Sequence, residues 1–175
     1  FTLLLTGVGA GALTLLKPGE QMTTAAQRFL ATLDKDQKQV AQMGFDDPKR
    51  FDWHFIPKKT RKGLLVSKMN KNQRIAAFGL MRAALSQVGY DKARATMMLE
   101  ALTAALEGSK RNWARDPEMY YFTVFGEPKE TGKWGLSVEG HHLSLNFVVQ
   151  DNKVVAHTPS FYGANPNIAD AKAIL

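Results

Sequence analysis

The chain has 175 residues, of which 45% are hydrophobic and 22% charged, with a formal net charge of +7 and no cysteine. That length supports one core burying roughly 70% of the unfolded chain's surface, without a disulfide or metal staple. The lack of cysteine excludes thiol nucleophiles, cysteine-ligated zinc and iron–sulfur clusters.

Positive charge favours an anionic partner in general terms. Its only compact cluster is Lys58-Lys59-Thr60-Arg61-Lys62, which makes contact with an anionic surface a minor alternative. No nucleic-acid motif accompanies it, so nucleic acid is disfavoured as a partner.

Residues Phe1 to Leu16 are apolar, uncharged and rich in glycine, and Lys17-Pro18-Gly19 follows them. The stretch is shorter than the ~20 residues of a membrane span. With Ala10 and Ala12 near its end it is read as the remnant of an export signal, which places residues 1–19 apart from one domain over 20–175 and makes the protein periplasmic or extracellular. Gly7-Val8-Gly9-Ala10-Gly11-Ala12 also imitates a dinucleotide-binding glycine turn, but no parallel sheet is legible around it. If the segment is instead core, the location is cytoplasmic.

Ala25, Ala26, Phe29, Leu30 and Leu33 have helical spacing, which predicts one helix over Thr23 to Val40 capped by Thr23 or Thr24. Phe51, Trp53 and Phe55 alternate with Asp52 and His54, as in a short strand ending at Pro57. Two helices are predicted over Asn70 to Val88 and Asp91 to Leu106. Their buried stripes are Ile75, Phe78, Leu85 and Val88 in the first, and Ala95, Met98, Leu99, Leu102 and Leu106 in the second. Gly89-Tyr90-Asp91 would join them as an antiparallel hairpin, with Met97 and Met98 as core filler rather than metal ligands.

After Gly108 the period shifts towards two. Tyr120 to Phe125, Trp134 to Glu139, His141 to Val149 and Val154 to His157 read as four antiparallel strands. The fold class is therefore α+β, an N-terminal helical region packed on a C-terminal antiparallel meander.

Half of the four histidines stand together in Glu139-Gly140-His141-His142-Leu143-Ser144-Leu145-Asn146-Phe147. On a continuous strand His141 and His142 point to opposite faces, and only a bulge at Gly140 or a break brings them together. A two-residue loop at Asp151-Asn152 would pair Val149 with Val154 and Asn146 with His157. His142 and His157 then lie roughly 13 Å apart and cannot share one metal.

A divalent metal is one reading of this region, its candidate ligands being His142, His141, His54 and His157, with His142 and His157 belonging to separate halves that His54, Glu139 or Asp116 would have to complete. The other is acid–base chemistry by a histidine held by a carboxylate, since imidazole exchanges protons near neutrality. The candidate catalytic residues are His142, His141, Glu139, Asn146, Arg115 and Asp116. Ser144 is not read as a nucleophile, because it stands ~7 Å from His142 with no nucleophile elbow. Arg115-Asp116-Pro117-Glu118 is a polar turn whose arginine can clamp a carboxylate or phosphate. The leading function is thus hydrolytic, metal-dependent or acid–base, on an unknown small-molecule or polymeric substrate. The alternative is a binding or structural module whose histidines bridge strands.

A set of short pieces follows in order along the chain: Trp53-His54-Phe55-Ile56-Pro57, Arg61-Lys62-Gly63-Leu64, Leu85-Ser86 with Gly89-Tyr90, Leu99-Glu100, Arg115-Asp116-Pro117 with Tyr120, and Phe125-Gly126-Glu127-Pro128. Trp134-Gly135, Glu139 to Phe147, Thr158-Pro159 and Asn165-Pro166 complete it. Through these pieces, over most of Phe45 to Pro166, the chain resembles the domain of unknown function 3500 family. Leu136 stands where the family usually has a second tryptophan. The resemblance implies frequent export and a longer C-terminal part than this chain carries. It implies no established activity or cofactor.

Overall fold

The computed structural model describes residues 17–108 and 113–165, together with the backbone of 168–169 and 172–173. The stretch from Phe1 to Leu16, with the export and dinucleotide readings placed on it, lies outside the described residues.

Lys17-Pro18-Gly19 starts a helix rather than ending a segment. Helix α1 spans Pro18–Ala31, with proline in the first turn, where its missing N–H costs nothing. Thr23 is not a cap. It lies inside α1, where its hydroxyl donates to the Gly19 carbonyl at 2.9 Å and accepts from the Trp134 indole at 3.2 Å.

The single helix predicted up to Val40 is two. Asp34 accepts from the Gln37 N–H at 2.8 Å and the Gln37 amide reaches back to the Asp34 N–H at 3.3 Å, which restarts the chain as α2, Lys35–Ala41. Asn70 caps helix α3, Lys71–Ala84, through a matching exchange with Gln73. Buried Gln73 also pairs with the Gln37 amide and bonds the Thr32 carbonyl, so one glutamine ties the first three helices together.

Helix α4, Gln87–Glu107, begins at Ser86, whose hydroxyl accepts from the Gly89 N–H at 3.1 Å. The connection is therefore Leu85-Ser86, and Gly89-Tyr90-Asp91 wind into the first turns of α4. Each predicted stripe is right in part: Phe78, Leu85 and Leu99 do pack inward, but the stripes' other members shift off the buried face. Ile75, Val88, Met98 and Leu106 are exposed, whereas Ala77, Leu80, Met81 and Met97 are buried. The inward side of α4 also carries Thr96, Glu100 and Thr103, polar residues that a search for apolar periodicity passes over.

Four strands form the predicted meander: β3 Tyr121–Gly126, β4 Lys133–Gly140, β5 Leu143–Gln150 and β6 Lys153–Ala156. Short strands complete the mixed sheet. β1, Gln42–Met43, lies parallel to β3, while β2, Leu64–Leu65, and β7, Ser160–Tyr162, lie antiparallel to β3 and β5. The architecture is α+β as the pattern predicts. Alternate residues Phe122, Val124, Trp134, Leu136, Val138 and Leu145 pack against Met22, Phe29 and Leu80 of the helices in one core.

No strand forms at Phe51 to Phe55. Asp47 and Pro48 start a 3-10 turn over Pro48–Phe51, and Arg50 stacks on the Phe45 and Phe51 rings. The following residues pair with no strand, and three of their carbonyls are taken by side chains. Lys62 bonds Asp52 O at 2.5 Å, and Arg61 bonds His54 O at 2.7 Å and also Ile56 O. Alternating aromatics predicted a strand because the segment does follow a sheet, but it is held by two cations.

The Asp151-Asn152 loop is present, both residues having positive φ, 50° and 58°, and Val149 pairs with Val154. A shift between Val148 and Val149 then puts Val148 opposite Ala156. The bulge displaces the predicted Asn146–His157 pairing. His157 is exposed beyond the end of β6, and Asn146 instead bonds Ser144 Oγ at 3.1 Å and Pro159 O at 2.9 Å.

Gly140 closes β4 against the Tyr120 ring, and a Cβ there would lie 2.3 Å from Tyr120 Cδ1. Tyr120 is fully buried and its hydroxyl donates to His141 O at 2.8 Å, so the ring cannot swing away freely. Gly140→Ala is expected to destabilise the fold by about 1–3 kcal/mol through overpacking. Urea denaturation checks this, and an unchanged midpoint would show that the ring yields.

Candidate functional site

The strand predicted from His141 to Val149 begins at Leu143. His141 and His142 form the two-residue turn between β4 and β5, so strand alternation does not apply to them. Their rings face one another, with centroids 3.9 Å apart. His142 is in the left-handed region, φ 59°, which costs a non-glycine residue roughly 1–3 kcal/mol. Two backbone bonds hold it there: its N–H donates to Phe55 O at 2.8 Å and its carbonyl accepts from Gly163 N–H at 2.7 Å. Phe55 stacks on Phe161 at 4.0 Å beside the turn.

His141 lines a cavity of about 280 Å³ at this end of the sheet. Glu100 of α4 supplies a carboxylate 2.5 Å from His141 Nδ1, and Arg115 Nη1 lies 3.0 Å from the same nitrogen. One ring nitrogen cannot donate to a carboxylate and accept from a guanidinium at once. Arg115 is already engaged by Glu107, through Nε at 2.9 Å and Nη2 at 2.8 Å, and that pairing raises its pKa above the ordinary value. We therefore assign Nδ1–H as a donor to Glu100, which leaves Nε2 as an unprotonated acceptor with no partner among the described residues.

Tyr120 forms part of the wall. Burial, with the Glu100 charge adding to it, pushes its phenol well above the usual range and keeps the hydroxyl a donor to His141 O. Trp113, Met119 and Pro57 provide apolar lining, and Lys58, Lys59 and Arg61 bring positive charge.

The other predicted residues divide by location. Arg115 clamps a carboxylate as expected, but it is the protein's own Glu107. Asp116 lines the cavity while its Oδ1 accepts from the Glu118 N–H at 2.8 Å, a turn cap. Glu139 does not reach the cavity. It is 2% exposed on the sheet face away from the core, with Lys62 Nζ at 2.8 Å and Arg61 Nη1 at 3.9 Å. Burial pulls the Arg61 pKa down, and the Glu139 charge partly opposes this. The basic cluster is thus split: Arg61 and Lys62 have buried side chains turned to Glu139, Arg61 also lining the cavity, while Lys58 and Lys59 stand at the cavity without an acidic partner among the described residues.

Asn146 bridges β5 to Pro159 and lines a separate cavity with Trp53 and Pro159, and Ser144 is fully buried, so neither lines the His141 cavity. His54 pairs with Asp52 at 2.8 Å on the surface and His157 is exposed. Among the described residues no group of three or more His, Asp or Glu side chains is placed to hold a metal ion. The four histidines proposed as ligands therefore separate into the 141–142 pair and two surface residues.

Sequence reasoning missed Glu100, Glu107, Tyr120 and Trp113. A signal existed for the first two: Glu100 and Glu107 stand one heptad apart, and Glu100 interrupts the stripe of Ala93, Met97 and Thr103.

A family model matches residues 16–174 of the chain, described as "Protein of unknown function (DUF3500)". The chain belongs to this family. The DUF3500 match extends beyond both ends of the stretch that carries the sequence resemblance. No curated protein and no solved structure matched the chain.

Glu139→Gln leaves two buried cations without their counter-charge and is expected to cost about 3–5 kcal/mol of stability. A double-mutant cycle with Lys62→Met checks the pairing, since additive losses would mean that the two side chains are uncoupled.

The His142 pKa is lowered from 6.5 by burial first and by the neighbouring His141 second. The folded state therefore favours the neutral ring, and the unfolded chain takes up protons first as pH falls. The stability contributed is complete above pH 6.5 and is lost as pH drops below it towards the folded pKa. His142→Gln should lose less stability than the parent between pH 7 and pH 5, measured by denaturation at both pH values.

Proposed function

We propose that this DUF3500 protein is a hydrolase in which His141 is the general base and Glu100 orients it. The observation that carries this reading is the 2.5 Å contact between Glu100 and His141 Nδ1 in a cavity wall, with no partner for Nε2 among the described residues. Water held at Nε2 loses its proton to the ring as its oxygen bonds to the electrophilic centre. The imidazolium so formed is stabilised by Glu100 and returns the proton to the leaving group as its bond breaks. Lys58 and Lys59 face the negative charge that develops on the substrate. Because Ser144 is buried and bonded to Asn146, direct attack by water is favoured over a covalent serine intermediate.

Residues 1–16 support an exported location for this activity, by the apolar composition of that segment. A divalent metal remains compatible with the 141–142 pair only if the substrate or residues outside the described set complete its ligands. The non-catalytic alternative, in which the turn holds strands together, is favoured by one observation, the two backbone bonds of His142.

His141→Asn is expected to lower hydrolysis by about 10²–10⁴-fold while leaving the circular dichroism spectrum unchanged, and Glu100→Gln to lower it less. The assay is a panel of ester, amide, phosphoester and glycoside substrates, with elemental analysis of protein never exposed to chelator or affinity metal. Activity that requires the unprotonated ring and vanishes in the asparagine variant supports the proposal. Equal rates in the parent and the variant, or no turnover of any class, would overturn it in favour of a structural or binding module.

A further inference from the structure

The cavity beside His141 has a composition that its acid–base role does not require. Its cations are unequally paired. Arg115 is neutralised by Glu107, and Arg61 is spent on two carbonyls and on Glu139. Lys58 and Lys59 line the same cavity, and neither makes an ion pair or hydrogen bond with any described residue. Of the two lining carboxylates, Glu100 is held by His141 and Asp116 by its own turn. The positive charge left over is therefore at the rim, on flexible ammonium groups able to close on an anion.

A second feature lies beside it. Trp113 is 41% exposed although it lines the cavity, together with Met119, Pro57 and the wall residue Tyr120. An indole left open beside a pocket offers a broad apolar face together with an N–H, suited to the flat face of one ring. The cavity, about 280 Å³, accommodates one six-membered ring with a charged substituent rather than an extended chain.

We propose that the cavity binds a single-ring ligand carrying one carboxylate or phosphate, its ring lying on Trp113 and its anionic group held by Lys58 and Lys59, with the bond to be cleaved presented to His141. The inference rests on the reading of this cavity as the hydrolytic site. It adds the substrate class, which acid–base chemistry alone leaves open.

Two pairs of probes test it by calorimetric titration of the full chain: phenyl phosphate against phenol, and glucuronate against glucose. In each pair that binds, the anionic member should bind at least about tenfold more tightly than the neutral one, with a preference that shrinks as salt rises. Lys58→Met with Lys59→Met should abolish that preference, while Trp113→Ala should weaken both members of a pair and leave the preference in place. Lys59 and Trp113 are exposed and Lys58 is half-buried, and an unchanged thermal midpoint confirms that the variants fold. Binding confined to the phosphate pair identifies an aromatic phosphate ligand and binding confined to the glucuronate pair an acidic sugar; either supports the inference.

Equal binding of charged and neutral members, a preference unaffected by loss of both lysines, or no binding of any probe would overturn it. His141→Asn separates the two proposals. Retained anion binding without turnover agrees with both, retained turnover of anionic substrates removes only the catalytic role of His141, and His141-dependent turnover of neutral substrates removes only the substrate class.

Discussion

A buried carboxylate on a β-strand, Glu139, organises the part of the molecule where chemistry is possible. Its charge would be untenable at 2% exposure without Lys62 at 2.8 Å and Arg61 nearby. Those two cations in turn take the carbonyls of Asp52, His54 and Ile56, so that a segment with no strand partner lies fixed along the sheet. Gly63, at φ +92°, lets the chain pass close to Thr123 as it returns to the sheet. One ionic cluster thus does for this segment what a hydrogen-bond ladder does for its neighbours.

The consequences reach the histidine turn. Phe55, held between the carbonyls that Arg61 engages, presents its own carbonyl to the His142 N–H, and this bond helps keep His142 in the left-handed region. Arg61 meanwhile lines the cavity into whose wall His141 is set. The turn is clamped from the other side by Gly163 and from beneath by the Tyr120 hydroxyl on His141 O. A pair of adjacent histidines is therefore positioned by three separate stretches of chain, and the carboxylate that sets the tautomer of His141 comes from a fourth, helix α4. Rigid support of this kind suits a group whose proton must sit on one chosen nitrogen.

Much of the architecture was legible because it depends on local pattern. The four strands of the meander, the Asp151-Asn152 loop and the start of a helix at Asn70 each follow from residues within a few positions of one another. The D-x-x-Q exchange that splits the first helix was equally local, and was obscured by the continuous apolar spacing of Phe29, Leu30 and Leu33 across it. Less of the site could be read. His141, a candidate from the sequence, lines the cavity, whereas Glu139 and Asn146 bond within and beside the sheet and His54 and His157 lie at the surface. Glu100 was overlooked because a helical carboxylate on a mostly apolar face looks solvent-exposed until a partner is known.

By itself the sequence determined the α+β class and the order of the four meander strands, because hydrophobic period and turn residues act over short distances along the chain. Only the tertiary structure decided that the histidines form a turn rather than a strand, that Glu100 and Arg115 meet His141, and that Arg61 and Lys62 point inward to Glu139. These are contacts between residues up to 77 positions apart. Their cause is the need of each buried charge for a counter-charge and of each buried carbonyl for a donor, and which partner answers that need is fixed by packing, not by neighbours in sequence.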